Sequence, residues 1–245
     1  MSLSNPRASV SPVERFFELR LSTGHVGFYD RDAKKDVQVT QPLPGWEEEK
    51  KYAANPPFVF VVLDVLSVIG GYSDSKKSGI WSNEIRSTRD EKFVVRTRDG
   101  VMAEGLYENI KGDISDKGAR FGNSVYIAFE ESGEWKLGNL KLIGAGVSTF
   151  FDFQKGKRLD REPGVMINGW IGKKKGRNEY YIPNFAQWEV SPAELSVAES
   201  LDRLLQQYLG ERGGAEPQQE AKSEDPWANA SQPSLSSSFD AAPPF

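Results

Sequence analysis

The spacing of apolar positions changes period several times along the chain, and each change marks an element. From Pro57, "PFVFVVLDVLSVIGG" is nearly continuous in Val, Phe, Leu and Ile and closes on Gly70 and Gly71. A run this long and this β-branched predicts a buried, curved strand. After the polar loop "YSDSKKSG", the segments "IWSNEI" and "KFVVRTR" predict two further strands joined by the turn "RSTRD". In the second of them Lys92, Val94, Arg96 and Arg98 fall on one face, and Phe93, Val95 and Thr97 on the other. The period then lengthens. Met102, Leu106, Ile110 and Ile114 recur every four residues and predict a helix that stops near Gly118. "SVYIAFEE" alternates again as a strand, and a Ser-Gly turn leads into "EWKLG". Leu140, Ile143, Val147 and Phe150 predict a second helix, and "VMINGWIG", "KKKGRN" and "EYYIPNFAQWEV" predict a hairpin of two long strands. Ser191-Pro192-Ala193-Glu194 combines a capping Ser, a first-turn Pro and a Glu that can close a capping box. The helix it starts has an apolar stripe at Leu201, Leu204, Leu205 and Tyr208 and is expected to end at Gly210.

These elements predict four regions. Residues 1–56 read as an N-terminal appendage, with a loose Ser/Pro-rich start, short strand candidates in "HVGFYD" and "DVQVT", the turn "QPLPGW" and the charged "EEEKK". Residues 57–190 form the main domain, 191–210 a C-terminal helix, and 211–245, without periodicity and rich in Pro, Gln, Ser and Glu, a disordered tail. Three strands, a helix and closing strands is the order of an OB-fold-like β-barrel, so the expected class is mainly β with helices (α+β), an OB-like barrel with inserted helices. Other α+β folds share such runs.

Composition narrows the chemistry. The absence of Cys excludes disulfides, thiolate metal sites and a Cys nucleophile. No stretch approaches the ~20 apolar residues of a membrane span, and the first residues lack a secretory pattern, so no membrane partner is expected. This suits a cytoplasmic protein, of a bacterial host cell if the chain is phage-encoded. The net charge of −4 is carried by residues 211–245, where six acids face two bases, so the remaining body is neutral. Its bases matter only where they cluster.

Two clusters stand out. Lys76, Lys77, Trp81, Arg86, Arg89, Lys92, Arg96 and Arg98 lace a basic stretch with an aromatic ring on the second and third strands, which form the nucleic-acid face of an OB-fold. There cations follow phosphates and rings stack on bases. The second runs from Lys155 to Arg177, with eight bases against two acids, and ends in the turn Lys173, Lys174, Lys175 and Arg177 flanked by Trp170, Tyr180 and Tyr181. Neighbouring loops of one barrel would let both clusters clamp one strand. The plainer alternatives are a solvated strand face with Trp81 in the core, and a hairpin tip kept soluble by lysines. Asp116 with Glu134 and Lys136 loosely matches the carboxylate and Lys pattern of a Mg²⁺-dependent nuclease. The lone His25 cannot build a conventional His-based metal site, no Gly-rich phosphate loop occurs, and no cofactor is expected.

The stretch "EDPWANASQPSLSSSFDAAPPF" resembles the C-terminal tails of bacterial and phage single-stranded DNA-binding proteins: an Asp225-Pro226-Trp227 box, a spacer, and a tip from Asp240 through Pro243 and Pro244 to Phe245. The tip has one acid, Asp240, where the family has several. The core segments "FVVLDVLSVIGGYSDSKKSGIWSNEIRSTRDEKFVVRT" and "NSVYIAFEESGEWKLGNLKLIGAGVSTFFDF" look like a divergent phage or mobile-element member. The resemblance implies a non-enzymatic protein that coats single-stranded DNA and recruits replication, recombination and repair enzymes through Phe245. A terminal Phe can enter an apolar pocket while its carboxylate meets a base, and the two prolines limit the entropy lost on docking. A strand-annealing mediator is the nearest alternative. The other two are the nuclease and a virion or adaptor protein that uses only the tail. The helix near the C-terminus can cover the barrel or pair between subunits, so a homo-oligomer is among the expectations.

Overall fold

The computed structural model describes residues 11–30, 32–42 and 51–214. The expectations for residues 1–10, the "LPGW" turn and its charged neighbours, and the tail with Asp225, Pro226, Trp227, Asp240, Pro243, Pro244 and Phe245 lie outside them. Among the described residues the chain is mainly β: eleven strands join one sheet, with three helices. No helix among the described residues is long and apolar enough to cross a membrane.

The long apolar run is strand β4, Lys51–Ser73. It is apolar without alternation because much of it is covered on both faces. Phe58, Phe60 and Val62 enter the main core. Val61 and Leu63 meet Ala198 and Leu201 of the C-terminal helix, together with Ala128 and Trp188.

β4 is also the junction of two substructures. The first is a closed circuit. β4 pairs with β8 (Ala119–Glu131), β8 with β9 (Glu134–Ile143), and β9 runs parallel to β1 (Arg15–Arg20). β1 pairs with β2 (His25–Asp30), β2 with β3 (Lys35–Pro42), and β3 returns to β4 through Gln41 opposite Asn55 and Pro42 opposite Ala54. Residues 13–42 are therefore not an appendage. Phe17, Val26 and Phe28 are buried in the same cluster as Phe60, Ile127 and Leu140. The strand β1 was not expected, because its partner β9 lies over a hundred residues away and leaves no local signal.

The second substructure is a wing. The end of β4 pairs with β5 (Ser78–Ser82), then β6 (Phe93–Thr97) and β7 (Gly100–Gly105), and α1 (Tyr107–Asp116) packs on one side. Ile69, Ile80, Phe93, Val95, Ile110 and Ile114 make a separate small core there. The strands expected in the middle of a barrel, β5 and β6, lie outside the six-strand circuit. The four-residue spacing from Met102 was shared between two elements: Met102 sits on β7, paired back to β6, and only Ile110 and Ile114 line the helix face. The end of β4 passes close to the turn before β8. Gly118 has φ +90°, and a Cβ there would press into the Tyr72 carbonyl oxygen.

Leu140 and Ile143 belong to β9, and α2 (Ala145–Gln154) begins only after Gly144. The hairpin β10 (Gly164–Lys175) and β11 (Asn178–Gln187) forms as expected and pairs with the first half of β4. α3 (Pro192–Gly214) opens with the reciprocal cap: the Ser191 amide donates to Glu194 Oε2 at 2.8 Å, and the Glu194 amide to Ser191 Oγ at 3.3 Å. It continues past Gly210. Ala198, Leu201 and Leu205 lay it over β4, β8 and β9, while Leu204 of the expected stripe is 47% exposed.

Two ion pairs on one carboxylate tie the circuit's seam. Arg15 Nε and Nη2 donate to Glu131 at 3.1 and 3.0 Å, and Lys136 Nζ to the same carboxylate at 2.9 Å. The Lys136 hydrogen bond, then that from Arg15, holds the Glu131 carboxyl below its ordinary 4.5. A depressed folded-state pKa contributes stability above 4.5 that is lost as the pH falls through the folded value. Glu131→Gln is expected to cost about 1 kcal/mol at pH 7, read by urea unfolding, with the difference shrinking below pH 4.5. A cost that persists undiminished at pH 3 would mean packing, not charge.

Candidate nucleic-acid interface

The alternation read on β6 holds in three dimensions. Phe93 and Val95 are buried with Ile110 and Ile114 of α1, and Thr97 is buried too, while Lys92, Val94, Arg96 and Arg98 face outward. On β5, Ile80 points inward and Trp81 outward, half-buried. Trp81 lies directly opposite Arg96, and Arg96 opposite Val101 of β7, which is 54% exposed. Directly opposed residues of adjacent strands share a face at about 5 Å. The open face of the wing therefore carries an indole beside a guanidinium that has no ion pair or hydrogen bond among the described residues.

The sheet register adds two residues that the sequence reading missed. Gly70 of β4 lies opposite Trp81 on its other side, and the Lys141 ammonium sits over it, 2.9 Å from where a Cβ would be. Tyr72, two residues on, is 37% exposed on the same face. Tyr72 carries a readable signal, an aromatic two positions after a strand Gly. Lys141 carries none, because its place depends on β9 pairing with β8, which in turn pairs with β4.

Lys76 and Lys77 are exposed in the turn between β4 and β5. Lys76 Nζ is 3.3 Å and Arg98 Nε 3.6 Å from the Asp99 carboxylate. Exposed pairs of this kind are worth little, so both cations remain available to a phosphate. Arg86 differs. Its guanidinium bonds Asp64 at 3.0 and 2.7 Å and Gln206 at 3.0 Å, and the Asp64 hydrogen bond raises its pKa. Expected to line a groove, it instead ties the loop after β5 to β4 and α3.

Trp170 is also corrected. It is 1% exposed in the main core beside Ile167 and Phe185, where no base can reach its ring. Lys173, Lys174, Lys175 and Arg177 are exposed at the β10–β11 turn as expected, but not next to the wing. That hairpin pairs with β4 between Lys51 and Val61, whereas the wing hangs on Gly70–Ser73. The stretch from Val61 to Gly70 alone spans roughly 30 Å of extended strand. The two basic clusters do not share adjoining loops. Lys155, Arg158 and Lys157 engage Asp152, Asp160 and the Phe153 ring within their own segment.

The nuclease pattern is not assembled. Asp116 ends α1 beside the start of β8, and Glu134 and Lys136 lie alongside its other end, roughly 30–40 Å of strand away. Lys136 is held by Glu131 and Glu14. Among the described residues no three His, Cys, Asp or Glu side chains gather to hold a metal ion. His25 Nδ1 is 2.9 Å from Thr23 Oγ1, and burial, then Arg20, pushes its pKa below the usual value.

No family model, curated protein or solved structure matches the chain.

Proposed function

We propose that the protein binds single-stranded DNA across the open face of the wing, without base specificity, and acts in replication or recombination. The observation that carries this reading is Trp81 set directly opposite the unpaired Arg96 on an exposed sheet face. Around it stand Lys92, Arg98, Lys76 and Lys77, with Tyr72 as a second ring. Stacking on a ring is tolerant of base identity because every base has a π-face, and the flanking cations follow the phosphates. On this reading the six-strand circuit is an OB-like scaffold and the wing its binding outgrowth. The tail ending at Phe245, by its resemblance to single-stranded DNA-binding proteins, recruits partner enzymes, and the protein works in the cytoplasm where such strands arise.

The test is fluorescence anisotropy of labelled oligo-dT. If Lys76, Lys77, Lys92, Arg96 and Arg98 each meet a phosphate, affinity falls about 100-fold between 50 and 200 mM salt through counterion release. Binding should also quench indole fluorescence. Absence of oligo-dT retention at low salt would remove the reading.

A further inference from the structure

We propose that the β10–β11 tip is a second single-stranded DNA site, so that one copy of the chain bridges two strand segments. The inference rests on the wing reading for its first site.

The tip is a built shelf, not just a charged loop. Lys173 lies opposite Tyr180, Gly172 opposite Tyr181 and Lys174 opposite Glu179. Tyr52, Tyr180 and Tyr181 line a slot of about 80 Å³ together with Lys173, Lys174 and Glu179. The floor is rigid. The Tyr181 amide donates to Leu21 O at 2.7 Å, its ring fills the space over Gly24, and Tyr52 meets it edge-on at 5.4 Å. A hairpin tip that serves solubility alone needs lysines but no fixed aromatic floor beneath them. Lys173 and Arg177 have no ion pair among the described residues, and Lys174 reaches Glu179 only at 3.6 Å. Rings flanked by free cations are the combination that holds unpaired bases and their phosphates.

The tip and the wing cannot be one continuous track along β4. Between Tyr52 and Gly71 that strand has no base and carries the acid Asp64. A phosphate backbone finds cations at both ends and none on the strand between. Two short strands can therefore be held at once, which raises the local concentration of one strand for the other.

The experiment uses the full chain. Immobilised oligo-dT of about ten nucleotides, the length one such face accommodates, is loaded with protein and washed. A labelled second oligo-dT of the same length is then added. The wild-type chain should retain the first strand and capture the second. Lys173→Glu with Lys174→Glu and Arg177→Glu should retain the first strand, which also reports folding, and lose capture about tenfold or more. Trp81→Ala with Arg96→Glu should lose capture as well. Undiminished capture by either variant overturns the inference, since bridging would then come from self-association or from one site. Retention of the first strand without capture of the second by the wild type overturns bridging alone. Failure to retain the first strand overturns the wing reading and this one with it.

Discussion

Trp170→Ala is expected to lower the unfolding free energy by about 3–5 kcal/mol, the range for emptying a buried aromatic site. Trp170 is 1% exposed and lies between Tyr52 on β4 and Pro183 on β11, at the point where the hairpin joins the circuit. Its loss leaves a cavity that β4 cannot close, because β3 and β8 hold that strand in register along its length. Trp170→Phe should behave differently. The indole Nε1 meets no acceptor among the described residues, and a buried unpaired donor costs about 1–3 kcal/mol. Phe removes that donor and keeps most of the ring, so the net change should be within about 1 kcal/mol. Urea unfolding reads both values. Oligo-dT affinity of the folded Phe variant should match wild type. A several-fold loss at unchanged stability would return Trp170 to the binding surface.

Trp81→Ala is expected to weaken oligo-dT binding by about 1–3 kcal/mol, or roughly 5- to 150-fold, the range for removing one stacking ring. Trp81→Phe should restore most of it, because the π-face remains. Arg96→Ala should weaken binding and flatten the salt dependence by roughly one phosphate contact. The two side chains share one strand position, so the double variant should lose less than the sum of the single losses. Trp81 is half-buried, so unfolding of Trp81→Ala is measured alongside. Wild-type affinity in a folded Trp81→Ala protein would show that the strand does not cross this face.

Several features were legible because they are local. The alternation of "KFVVRTR" sorted Phe93 and Val95 from Arg96 and Arg98, and the pleat that sorts them needs only neighbouring residues. The cap at Ser191 and Glu194 closes within one turn, and the hairpin around Gly176 pairs residues adjacent in sequence. The mainly β character with helices followed from the same periodicities.

What the tertiary structure alone decided is which elements meet. Pairing Phe17 with Leu140 in parallel drew the N-terminal strands into the core, and nothing in "RFFELR" names that partner. Trp81 and Trp170 are both tryptophans in strands beside basic segments and flanked by strands on both sides, yet one faces outward and the other is enclosed, because Trp170 lies on the face covered by the main core while Trp81 points away from the wing's small core. The basic clusters were set at opposite ends of β4 by the register of that one strand with two others. Periodicity records which side of its own backbone a residue occupies. Burial and proximity come from contacts between distant segments, and those are fixed only when the chain closes on itself.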